Sequence, residues 1–194
     1  MTAMNDVSGV ILAGGLSSRM GKNKAELKFH GVTLLEHQIS KLRSLGIEDI
    51  VISGYERPIV GTRFVPDKYP LKGPLGGIHS GLCAAKNGSC LVTSVDTPLV
   101  PEKLLRELVS AHIAGGHSMT VLSHGDKLEP LIGVYEKSLA ALAEDILRTD
   151  NTSVRVLLKR GKMSEFVYSG DEALLCDCNT PEEFSEAALM AGDR

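Results

Sequence analysis

The chain has 194 residues, 43% hydrophobic and 23% charged, a composition that suits a globular protein with one full core. Its formal net charge is −3 and its pI is near 6.1, which argues against nucleic acid as a partner, since such proteins carry a basic surface. No apolar run reaches membrane-span length, and Met1 to Ser8 lack the cationic-then-apolar order of a signal peptide, so the reading is one cytoplasmic domain over 1–194 with no membrane partner.

Val10 to Ala13 form a short apolar run that predicts a buried strand. It breaks at Gly14-Gly15, and Arg19, Lys22 and Lys24 follow within ten residues. A glycine turn before a solvated charged loop would explain either feature alone. Together, exposed backbone N–H groups and three cations after a first strand favour a polyphosphate ligand. The spacing excludes two common phosphate loops. Five residues separate Gly15 from Gly21 and Asn23 stands where a P-loop has Ser or Thr, while Gly-x-Gly-x-x-Gly is missing from this stretch.

Thr33-Leu-Leu-Glu36 is a capping box, and apolar residues recur at helical spacing through Ile39, Leu42 and Leu45 until Gly46. Strands are expected at Ile50–Ile52 and Phe64–Val65. The Gly- and Pro-rich stretch from Tyr69 to Gly77 reads as a loop, with a helix from about Ile78 to Lys86. Cys90–Val95 is the next buried strand and delivers Asp96-Thr-Pro98. A helix over 102–113, a hairpin from Met119–Ser123 to Leu131–Tyr135 across Gly125-Asp126, helices at 138–148 and 153–160, and a strand near Glu165–Tyr168 follow. A second capping box, Thr180-Pro-Glu-Glu183, opens the last helix. The early strand-helix alternation implies a mostly parallel sheet with helices on both faces. Gly14, Ser53, Asp67 and Asp96 each follow a predicted strand, so their loops should gather along one sheet edge.

Asp96 stands directly after a buried strand. It could cap the turn before the next helix, but beside a phosphate loop a Mg²⁺-ligand role leads, because Mg²⁺ takes one or two carboxylates plus phosphate oxygens. Asp177 could be a second carboxylate on the same ion, while Asn179 or Thr180 caps the last helix. Asp67 could accept from a base or ribose hydroxyl, or serve only its Pro-Asp-Lys turn. Lys24 is expected to be exposed in the free protein. Cys83, Cys90, Cys176 and Cys178 lack Cys-x-x-Cys spacing and read as buried free thiols in a reducing cytoplasm. His37 reads as structural.

Leu12-Ala-Gly-Gly15, Arg19-Met-Gly21, Lys24, Gly73-Pro-Leu-Gly-Gly77, Asp96-Thr-Pro98 and Asn179-Thr-Pro-Glu-Glu183 resemble, in order and approximate spacing over nearly the whole chain, the molybdenum cofactor guanylyltransferases. Glu129-Pro-Leu131 before an apolar strand supports that branch over other nucleotidyltransferases. The resemblance implies an α/β class chain with a three-layer α/β/α, nucleotide-diphosphosugar-transferase-like fold. It implies transfer of GMP from Mg²⁺·GTP to the phosphate of molybdenum-bound molybdopterin, with contacts to other cofactor-biosynthesis or acceptor enzymes. By motif it assigns Leu12, Ala13, Gly14 and Gly15 to the nucleotide, Lys24 to phosphate, Ser53 and Asp67 to the nucleoside, and Asp96 to Mg²⁺, with Arg19, Lys24 and Asp96 carrying catalysis. Some members have Asn where this chain has Ser53, and Asp177 can be Asn in relatives. The alternatives are a nucleotidyltransferase using CTP or another nucleotide on a sugar or alcohol phosphate, and a nucleotide-binding module without catalysis.

Overall fold

A computed structural model describes residues 4–14, 23–56 and 59–192. In chain order the strands are β1 (Val7–Leu12), β2 (Lys28–Phe29), β3 (Val32–Thr33), β4 (Asp49–Ser53), β5 (Arg63–Val65), β6 (Ser89–Ser94), β7 (Met119–His124), β8 (Lys127–Glu136) and β9 (Met163–Val167). The helices are α1 (Leu34–Ser44), α2 (Pro74–Ala84), α3 (Glu102–Gly115), α4 (Leu139–Leu147), α5 (Val154–Arg160) and α6 (Pro181–Gly192).

Seven strands form one sheet in the order β5-β4-β1-β6-β8-β7-β9. β8 alone runs against its neighbours, so the sheet is mostly parallel, as expected. Successive strand residues face opposite sides, which builds two cores. Ile11, Ile50, Ile52 and Leu91 pack in one with residues of α1 and α3; Val10, Leu12, Val51 and Val92 pack in the other with residues of α2, α4 and α5. This is the three-layer α/β/α arrangement. Among the described residues, no helix is long and apolar enough to cross a membrane.

α1 starts where its capping box closes: Glu36 N donates to Thr33 Oγ1 at 3.1 Å, and Thr33 N donates to Glu36 Oε2 at 2.7 Å. Gly46, at φ +90°, turns the chain out of the helix. The same reciprocal pattern links Thr180 and Glu183 at the start of α6.

Some expectations fail. α2 starts at Pro74, so the loop read over 69–77 is too long and the helix begins and ends earlier than predicted. Pro is tolerated at a helix's first position, where its missing N–H has no helical acceptor. The two-residue strands β2 and β3 turn about His30 and Gly31 and are too short to show a period in sequence. Cys90 and Cys178 are buried free thiols, but Cys83 and Cys176 are exposed.

Candidate active site

The carboxyl ends of β1, β4 and β6 lie side by side because those strands are parallel neighbours. Two hydrogen bonds continue the alignment past the strand ends: Ala13 N donates to Ser53 O at 2.9 Å, and Val95 N donates to Leu12 O at 3.1 Å. Beyond them the backbones of Gly14 and Gly54 nearly touch. A Cβ on Gly54, where φ is +80°, would lie 2.5 Å from Gly14 Cα and 2.7 Å from Gly14 N. Only glycine fits both that conformation and that space.

α2 closes the next side. A Cβ on Gly76 would fall 2.7 Å from Asp67 Oδ2, and one on Gly77 would fall 3.1 Å from Leu12 Cδ2 and 3.3 Å from Ser53 Oγ. These glycines seat the first turn of α2 against the Asp67 carboxylate and the ends of β1 and β4. Asp67 Oδ1 also accepts from Tyr69 N at 2.9 Å. Glu144 on α4 ties down this loop, accepting from Lys68 Nζ at 2.9 Å and Tyr69 Oη at 2.7 Å. Those two donors, Lys68 first, hold the Glu144 carboxyl down to about 2.

The result is a cavity of about 560 Å³ lined by Leu12, Gly14, Ser53, Gly54, Asp67, Gly73, Pro74, Gly77, Ser94 and Asp96. The predicted Leu12, Gly14, Ser53, Asp67 and Asp96 therefore share one edge and one cavity. Ala13 is buried and is not among the residues that line it. Gly15 and Arg19 lie outside the described residues.

Lys24 begins a single 3₁₀ turn, Lys24–Glu26, capped by Asn23, whose side chain accepts from Ala25 N at 3.0 Å. Lys24 Nζ donates to Asn179 Oδ1 at 2.7 Å and lies 3.5 Å from Asp96 Oδ2. Its side chain is 17% exposed, so the expectation of an exposed lysine is corrected: in the free protein the ammonium is already engaged by Asn179 and Asp96. Asp96 is also held through its backbone, where its carbonyl accepts from Cys178 N at 2.7 Å. The capping question at the last helix resolves in favour of Thr180, leaving the Asn179 side chain on Lys24.

Two polar atoms in this cavity's lining residues, Asp96 Oδ1 and Ser53 Oγ, are buried without a hydrogen-bond partner in the described structure. Such orphans are costly unless a ligand or ion completes them. Asp177 stands close by. The residue as a whole is exposed, yet burial of its carboxyl, with Asp96 and Glu129 nearby, pushes it up to about 6. Two neighbouring carboxylates, one with an unmet oxygen, fit a divalent cation that takes its remaining ligands from phosphate and water. Among the described residues no third His, Cys, Asp or Glu joins them.

A second groove of about 330 Å³ adjoins the first, sharing Pro74 and Leu131 and adding Thr97, Glu129, Ser153, Arg155 and Asp177. Sequence reading did not single out Arg155 or the Lys24–Asn179 bond. It also left Gln38 and Lys41 unremarked, although both sit among the apolar residues of α1 at helical spacing, the signal that could have marked them as inward-facing.

Glycine-lined backbone, a cation and paired carboxylates at the carboxyl edge of a mostly parallel sheet define a nucleotidyltransferase. The chain belongs to the family described as the MobA-like NTP transferase domain, which matches residues 9–165. A probable molybdenum cofactor guanylyltransferase of Pelotomaculum thermopropionicum is 33% identical over 97% of this chain and 95% of its own. The molybdenum cofactor guanylyltransferase of Xanthomonas euvesicatoria is 32% identical over 95% and 96%. The fold matches the crystal structure of molybdopterin-guanine dinucleotide biosynthesis protein A from Archaeoglobus fulgidus with a TM-score of 0.80 over 96% of this chain and all of that one, at 23% identity.

Proposed function

We propose that this chain, as one cytoplasmic domain, transfers GMP from Mg²⁺·GTP to the phosphate of molybdenum-bound molybdopterin and releases pyrophosphate. The observation that carries the reading is the cavity lined by Gly14, Ser53, Asp67 and Asp96, with Lys24 paired to that Asp96. In this reading Leu12, Ala13, Gly14 and Gly15 run along the nucleotide. Ser53 Oγ and the Asp67 carboxylate meet the nucleoside. Lys24 leaves Asn179 for the triphosphate, with Arg19 as a second cation. Asp96 and Asp177 hold the Mg²⁺, whose contribution is to neutralise charge on the phosphates. Arg155 in the adjoining groove offers a planar donor pair to the acceptor phosphate.

The nucleophile is an acceptor phosphate oxygen, ionised at neutral pH. It forms a bond to the α-phosphorus of GTP as the α–β bridging P–O bond breaks, and the electron pair leaves with pyrophosphate. No general base is needed, so the protein acts by positioning and by charge.

The test is a thermal-shift panel of GTP, CTP, ATP and UTP with Mg²⁺, followed by pyrophosphate release when acceptor is added. A nucleotide at 100 times its Kd adds about 2.7 kcal/mol of stability. GTP should give the largest shift, and an equal or larger one with CTP would overturn the guanylyl assignment. Asp96→Asn should fold yet lose most turnover at every Mg²⁺ concentration; near-normal turnover with unchanged Mg²⁺ dependence would make Asp96 a turn residue.

A further inference from the structure

We infer that Lys41 is a positioning residue for nucleotidyl transfer, holding from α1 the loop that presents Asp96 to the metal. The inference rests on the nucleotidyltransferase reading above. Lys41 is only 7% exposed, and its Nζ donates to Pro98 O and Val100 O, both at 2.8 Å. Gln38, 1% exposed, donates to Ser94 O at 2.9 Å and Thr97 O at 3.1 Å. His37 Nε2 lies 3.1 Å from Pro98 O, where the ring nitrogen can only donate. Three side chains of one helix therefore grip carbonyls on both sides of Asp96.

The loop needs an outside donor. Residues 94–101 turn from β6 toward α3 with prolines at 98 and 101, which supply no N–H, and buried carbonyls must be paired somewhere. A neutral side chain could bond one carbonyl. An ammonium can reach two and brings charge to both bonds. Burial is unfavourable to that charge and pushes Lys41 down to about 8, with the Glu102 carboxylate of α3 opposing the shift and His37 the other titratable group beside it. A cation kept in so unfavourable a place, contacting backbone and not a carboxylate, is accounted for by what it holds.

Asp96 itself has further anchors at Cys178 N and Lys24. The α1 grip fixes the backbone before and after Asp96, and with it where the Asp96 carboxylate points. Displacement of a reacting constellation by about 1 Å can cost roughly 100-fold in rate. Loosening the grip should act on metal binding and turnover while leaving the nucleoside side of the cavity, built by Ser53, Asp67 and α2, in place.

The experiment uses the full chain and Lys41→Met, which keeps length and burial but removes the donors. Three quantities are measured: GTP affinity in EDTA, the Mn²⁺ dissociation constant by calorimetry with Mn²⁺ as sole probe, and kcat with its Mg²⁺ dependence. Lys41→Met should bind metal-free GTP within about twofold of wild type. Its Mn²⁺ affinity should fall at least fivefold, its half-saturating Mg²⁺ should rise in parallel, and kcat should drop roughly 10- to 100-fold. Unchanged Mn²⁺ affinity and kcat would overturn the inference alone, as would GTP affinity falling in step with kcat, which marks general loosening. If Lys41→Met does not fold, Gln38→Met, which frees two carbonyls of the same loop, must show the Mn²⁺ shift, and its absence overturns the inference. A wild-type chain that ignores Mn²⁺ and turns over no nucleotide would sink the nucleotidyltransferase reading first and this one with it.

Discussion

Lys24→Met should show that one ammonium serves two states of the site. The variant keeps the aliphatic stem and deletes the charge. In the free protein it removes the 2.7 Å bond to Asn179 and the 3.5 Å pairing with Asp96. A bond to a charged group contributes about 1.5–3 kcal/mol when fully developed. Asn179 is exposed and can rebond to water, which brings that part to the low end. The Asp96 pairing, partly exposed and screened, adds at most about 1 kcal/mol. A net loss of roughly 1.5–2.5 kcal/mol should lower Tm by about 3–10 °C for a chain of this size. With nucleotide bound, the lost contact is to phosphate in a less hydrated cavity, and kcat/KM should fall about 10- to 100-fold. Calorimetric unfolding without ligand gives the first number, and pyrophosphate release gives the second. A well-folded variant with wild-type kcat/KM would falsify the phosphate role. Reduced kcat/KM with unchanged Tm would instead show that the bonds to Asn179 and Asp96 contribute nothing to the resting protein.

Two further outcomes follow from local geometry. Gly54→Ala forces a Cβ to within 2.5 Å of Gly14 Cα at a residue with φ +80°; left-handed strain of about 1–2 kcal/mol plus displaced backbone of about 1–3 kcal/mol should destabilise the fold and weaken GTP binding together, and a variant with wild-type Tm would contradict the close approach. His79 is 1% exposed, and burial, aided by the charge of Lys68 and opposed by Glu144, pushes its imidazole below the ordinary 6.5; the unfolded chain therefore binds its proton first, and stability present above about pH 6.5 should be lost as pH falls toward 5. His79→Phe should flatten that slope in urea titrations, and parallel wild-type and variant curves would remove His79 as the cause.

What sequence revealed of this fold is what short-range chemistry decides. The Thr33–Glu36 and Thr180–Glu183 boxes, the β-branched run of β4 and the place of Asp96 after β6 are all settled within a few residues of chain. The start of α2 is not. Gly73-Pro-Leu-Gly-Gly77 reads locally as a loop; it opens a helix with Pro74 at the first position, and Gly76 and Gly77 are there because Asp67, Leu12 and Ser53 occupy the space where side chains would go. The shared edge of Gly14, Ser53, Asp67 and Asp96 was legible because parallel strands deliver their exits to one side. The engagement of Lys24 was not, since its partner Asn179 lies 155 positions away and no local pattern reports it. Lys41 was hidden differently. Its spacing placed it inward, but a buried lysine on carbonyls is justified only by the loop beneath it.

The bonds from Cys178 to Asp96 and from Lys24 to Asn179 also set a schedule. A chain is made from its N-terminus at roughly 5–20 residues per second, so about 4–17 s separate the synthesis of Asp96 from that of Asn179. Late in that interval, once α4 and its Glu144 have been made, the glycine-lined cavity can assemble from β1, β4, β6 and α2, while the closing side of the site has not yet been translated. A nascent chain can therefore hold the walls of a nucleotide pocket before it holds a working site. Cutting the finished protein between α5 and Asp177 should return it to that immature state, with most of its sheet intact and its reactive corner open to water.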